Sequence, residues 1–119
     1  MDDFGSHIAI PSFITGIVFA LLGGAFYQSP PSEINPLVGY RTRLSMKSQK
    51  HWDFAQKYSA KQMERAGYVM VILSVLSYFL PVDTEYKQTG GLILLVVCSI
   101  YMIVSTELAL RKQFPKSKE

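Results

Sequence analysis

Cysteine and histidine are nearly absent: Cys98 stands alone, and His7 and His51 are the two imidazoles. A single cysteine excludes an intramolecular disulfide. No Cys–His pair, phosphate-binding glycine loop or Ser-His-Asp set can be assembled from neighbouring positions. An enzyme is therefore the least supported class, and no cofactor or metal is expected. Charge is scarce too, at 18% of residues against roughly 25% in soluble domains. The stretch Met1–His7 holds Asp2 and Asp3 and no basic residue, the opposite of a secretory signal's start, so the first apolar run is expected to be retained. There is no internal repeat, and 119 residues make one domain.

The charge that remains is segregated. Three windows, about Ile8–Tyr27, Met63–Leu80 and Gly91–Leu110, are almost free of it. Each is about 18–20 residues, what a helix needs to cross a ~30 Å hydrocarbon core. The expected fold class is an all-α integral membrane protein: three transmembrane helices plus one cytoplasmic amphipathic helix, with residues 1–119 as a single membrane domain. Pro11 suits a first helical turn. Gly16, Ala20 and Gly24 recur every four residues, a small-residue stripe that admits another helix. Helix packing is expected there, and a homo-oligomer could use the same face. Cys98, inside the third run, reads as a small packing residue.

Between the first two runs lies the one long polar stretch, Asn35–Met63, with six of the twelve basic residues and the only Trp. Pro30, Pro31 and Pro36 end the first helix and favour extended backbone, and Gly39 permits a conformation that a Cβ resists. From Ser48, a plausible N-cap, Lys50, Asp53, Lys57, Lys61 and Glu64 share one side of a helical wheel; Trp52, Phe54, Ala55, Tyr58 and Met63 spread over the other. The motif loop and amphipathic helix are expected at about residues 35–62, lying on lipid or on the end of the bundle. Eleven of the twelve basic residues fall on one side if three spans are drawn, which puts the N-terminus outside and the first loop and C-terminus in the cytoplasm. These charges sit beside apolar segments, so membrane lipids are the expected partners and nucleic acid is not.

Arg41 and Arg43, flanking Thr42, follow Gly39 and Tyr40. Planar guanidinium groups grip phosphate or carboxylate with paired hydrogen bonds, which suits a lipid headgroup, an acidic cytoplasmic regulator or another loop; ordinary positive-inside charge is the plainer account. His51 is expected to pack at the interface. Glu107 is the acid in the last turns of the third run. An ion pair with Arg111, four residues on, is expected; a bond to Arg41 or Arg43 across the bundle is the sharper alternative. No second acid is available at that depth for a proton relay.

The run N-P-x-x-G-Y-R-T-R-x-S-x-K-S followed by a W-x-x-A helix resembles the SdpI family, bacterial membrane proteins named for immunity to the sporulation-delaying peptide toxin. The matching residues are Asn35, Pro36, Gly39, Tyr40, Arg41, Thr42, Ser45, Lys47, Trp52 and Ala55. The resemblance implies a bacterial cytoplasmic-membrane protein that protects against a membrane-active peptide toxin without catalysis. The motif residues Asn35, Pro36, Gly39, Tyr40, Arg41, Thr42, Arg43 and Trp52 would contact the ligand or partner.

Overall fold

Pro11 stands in the first turn of helix α1 (Ile10–Gln28), where its missing amide hydrogen costs nothing. Residues 8–115 are described in this computed structural model. The acidic stretch with His7, and Lys116 and Lys118 of the basic tail, lie outside the described residues. α1 stops before Pro30 and Pro31, with the Ser29 amide still donating to Ala25. Helix α2 (Gln49–Leu76) opens on Ser48, whose hydroxyl accepts from the His51 amide at 3.2 Å. It tightens into a 3-10 turn, Ser77–Phe79, before Pro81. Helix α3 (Thr84–Gln113) places Arg111 and Lys112 in its last turn, on the favourable side of the helix dipole. Among the described residues there is no strand.

The amphipathic helix runs on into the second apolar run, and the two are the halves of α2, one helix of 28 residues. No proline lies between Gln49 and Leu76, and one interior glycine, Gly67, costs only about 1 kcal/mol of helix propensity. The first half lies against the bundle: Trp52, Ala55 and Ala60 are buried, whereas Lys50, Asp53 and Lys57 are exposed. By length and composition α1 and α3 are each able to cross a membrane. In α2 the charges Lys61, Glu64 and Arg65 occupy the middle, leaving an uncharged run of 11 residues from Ala66 to Leu76.

α1 and α2 are antiparallel and closely interlocked. A Cβ on Gly16 would come within 2.8 Å of the Gly67 carbonyl oxygen, and one on Gly23 or Gly67 would fall on the backbone of Glu64 or Ala20. Such contact is possible only where side chains are missing. The small-residue stripe thus packs on α2 within the chain. Gly16 and Ala20 meet Gly67, Gly24 faces the Glu64 carboxylate, and Gly23 makes the closer approach.

α3 runs antiparallel to α2, with Cys98 beside Met70 in the buried cluster and Phe114 stacked on His51 at 4.2 Å. It is therefore parallel to α1, which it meets where Gly91 packs on Ala9 and Ser12. At that end Gln88 accepts from the Ile10 amide at 2.8 Å and donates to the Ile8 carbonyl at 2.7 Å. Ser77 accepts from the Ala9 amide at 3.0 Å, and the Ser12 and Ser74 hydroxyls are hydrogen-bonded to each other. The first amides of α1, which no helical carbonyl can serve, are met by these side chains. Much of the surface is apolar, including Leu21 on α1 and Ile93, Val97, Ile100 and Leu108 on α3.

Candidate functional site

The connection from Ser29 to Ser48 crosses the opposite end of the bundle from α1 to α3 and is fixed at four points. Asn35 builds the first, its side-chain oxygen accepting from the Leu37 and Val38 amides at 2.9 and 2.7 Å. This turn leaves Leu37 84% exposed beside an exposed Pro36. Trp52, fully buried, donates its indole N–H to the Pro31 carbonyl at 2.8 Å. The third point is Gly39, at φ +109°, in the left-handed region that disfavours any side chain. A Cβ there would also strike the Gln56 side-chain oxygen. The bare glycine lets Gln56 pair with the next residue on both sides: it accepts from the Tyr40 amide and donates to the Tyr40 carbonyl, each at 2.7 Å.

Glu107 is the fourth point. Its Oε2 accepts from the Tyr40 hydroxyl at 2.7 Å and from the Thr42 hydroxyl at 2.8 Å. Burial and the neighbouring carboxylate push the Tyr40 phenol well above the ordinary tyrosine range, so it remains a donor. Thr42 is itself oriented by Ser45, which is fully buried: the Ser45 hydroxyl accepts from the Thr42 amide at 2.8 Å, and the Ser45 amide donates to the Thr42 hydroxyl at 3.1 Å.

The expected ion pair of Glu107 with Arg111 is corrected by this arrangement. The carboxylate bonds across the bundle to two hydroxyls, because the loop lies directly over this turn of α3, while Arg111 is exposed one turn further on. Nor do Arg41 and Arg43 reach it: both are exposed and form no ion pair or hydrogen bond with the described residues. His51 is buried, sharing a 2.6 Å hydrogen bond between its Nδ1 and Ser48.

Beneath the loop lies a cavity of about 320 Å³, at the lower end of the range for small-ligand pockets. α2 supplies its floor with Gln56, Ser59, Ala60 and Met63. Phe26 stands on the α1 side, Met102 and Ile103 on the α3 side, and Gly39 to Thr42 form the rim. The loop's polar motif therefore caps a chamber whose walls are mostly apolar. Arg41 is part of that rim; Arg43 is not. Lys57 and Lys61 both sit over the Tyr27 ring, at 5.2 and 5.1 Å from its centre, while Lys61 also pairs with Glu64 at 3.6 Å.

Gln56, Ser45, Gly23 and Gly67 are essential to this geometry, and sequence reading passed over them as functional positions. Ser45 alone carried a signal, as a motif residue. The other three sit in helices where glutamine and glycine are unremarkable.

The SdpI/YfhL protein family model matches residues 32–106. That range takes in the loop from Ser32, all of α2 and α3 as far as Thr106, stopping one residue short of Glu107. The chain is also similar to the uncharacterized protein YfhL of Bacillus subtilis (strain 168), with 45% identity over 47 residues. The alignment covers 40% of this chain and 43% of that protein, so less than half of the relative's length is represented. No solved structure matches the chain.

Proposed function

The chain belongs to the SdpI/YfhL family, and from that premise we propose that it is a non-catalytic, multi-pass membrane protein of the immunity type, protecting a bacterial cell against a membrane-active peptide toxin. The observation that carries this reading is the attachment of the GYRT motif to α3 through Glu107. The family's most distinctive residues here build a fixed surface over a cavity, with the exposed Arg41 and Arg43 paired to none of the described residues. That is the construction of a binding face. The site's hydrogen bonds hold the loop in place.

The helix directions support a three-span reading. α1 and α3 start at the same end of the bundle, and a chain that crosses twice in one direction must cross back between. α2 makes that return, with Lys61 and Glu64 paired and the glycine contacts of α1 covering one side. With the positive-inside distribution, the loop end faces the cytoplasm and the N-terminus faces out.

The test is survival of a toxin-sensitive host expressing the native chain or Arg41→Ala, at membrane levels matched by blot. Protection by the native form and its loss in the variant is the expected result. Equal killing with and without the native chain, across the peptide toxins encoded beside its gene, overturns the reading.

A further inference from the structure

The cavity under the loop has an uneven lining. Phe26, Ala60, Met63, Met102 and Ile103 are apolar, and α1 and α3, which flank it, are the two helices apolar enough to cross a membrane. These two helices meet at the far end, at Gly91. At the loop end the gap between Phe26 and Met102 is filled by the loop and the cavity. With α1 and α3 spanning the bilayer and the loop end on the cytoplasmic side, as proposed above, the chamber would lie where the inner leaflet's acyl chains give way to headgroups.

At its rim is Arg41, exposed and without an ion pair or hydrogen bond to any described residue. Glu107, which holds the flanking Tyr40 and Thr42, is not part of the lining and is already engaged by those two hydroxyls. A cation free to pair, set above a pocket walled by a phenyl ring and two thioethers, suits one chemistry. We infer that the cleft holds an anionic phospholipid of the inner leaflet, one acyl chain entering between Phe26 and Met102 and the phosphate resting on the Arg41 guanidinium. A planar guanidinium binds phosphate through paired charge-assisted hydrogen bonds, and methionine walls adapt to a flexible chain.

The inference depends on α1 and α3 spanning the bilayer and not on any toxin, so it is tested without one. The full chain is reconstituted into nanodiscs of phosphatidylglycerol and phosphatidylcholine, released into mild detergent, and its retained lipids are counted by native mass spectrometry. Phosphatidylglycerol is expected to be retained over phosphatidylcholine. Arg41→Ala should lower that retention roughly tenfold, the effect of losing one charge-assisted pair, and Met102→Trp should block the chain's entry. Lys112→Ala, an exposed cation outside the lining, is the control and should retain lipid as the native chain does. Circular dichroism identifies any variant that fails to fold, and Arg41→Lys then stands in for Arg41→Ala, with a partial loss expected. Equal retention of the two lipids, or unchanged retention in both cleft variants, overturns the inference.

Discussion

The Tyr40 hydroxyl donates to the Glu107 carboxylate at 2.7 Å, joining positions 67 residues apart. Thr42 donates to the same oxygen, so one acid near the end of α3 holds both sides of Arg41. Removing that acid should release the loop more than removing either hydroxyl. Tyr40→Phe is expected to cost about 1–2 kcal/mol and Glu107→Ala more, because hydrogen bonds to a charged group are worth about 1.5–3 kcal/mol each. Trypsin cleavage after Arg41 and Arg43 in detergent-solubilised protein reads the release. Cleavage rates that match the native chain in both variants would refute the anchoring.

The raised Tyr40 phenol fixes a pH window. The folded state holds this proton more tightly than the unfolded chain, so its contribution is complete below the ordinary tyrosine value of about 10 and declines as pH rises through and beyond it. Unfolding followed from pH 8 to 11 should show loop attachment weakening only in the upper part of the range, and Tyr40→Phe should flatten that dependence. A loss beginning near neutrality would point to another group.

Gly39→Ala combines a left-handed backbone with a clash against Gln56. It should part Gln56 from Tyr40 and leave polar groups unpaired, at about 1–3 kcal/mol for each one buried. The chain carries one tryptophan, Trp52, which is fully buried, so its fluorescence reports the outcome directly. A red shift and greater acrylamide quenching are expected in Gly39→Ala; an unchanged spectrum would mean that the loop tolerates the side chain.

Between α1 and α2 even a methyl group is too large. Gly23→Ala and Gly67→Ala should each destabilise by roughly 1–3 kcal/mol or more through overpacking. Gly90, whose Cβ would meet nothing within 4 Å, should accept alanine with a small gain, up to about 1 kcal/mol. Chemical unfolding of the three variants in one detergent makes the comparison. Similar midpoints for all three would contradict the close approach.

The helices were legible because their signals are local: apolar runs of spanning length, Pro11 at a start, prolines after an end, and Ser48 as a cap. The motif loop stands out in the sequence because its residue types are unusual together. What escaped is what depends on distance through the fold. Whether Glu107 pairs with Arg111 or with Tyr40 and Thr42 depends on where a loop 65 residues away comes to lie, and helical spacing favours the near partner by default. Gly24 and Gly23 both sit near the four-residue stripe, and only the actual crossing of α1 over α2 chooses Gly23. The continuity of α2 through Met63 has a local reason as well. A change from polar to apolar composition at Met63 resembles a boundary, but it alters the surroundings of a helix and not its backbone hydrogen bonding.

The interlocking of α1 with α2 bears on how the chain enters a bilayer. In the three-span arrangement proposed above, α2 carries Lys61, Glu64 and Arg65 into the headgroup side of the membrane, with too short an apolar run to partition there readily by itself. Its entry would depend on α1, whose Gly16 and Gly23 receive its backbone. The two would then insert as a hairpin, and biogenesis, more than final stability, would be the first casualty of a bulky residue at either glycine. Glycosylation-site mapping of nascent chains would show it as α2 left on the wrong side of the membrane in Gly23→Leu, with α1 still correctly placed.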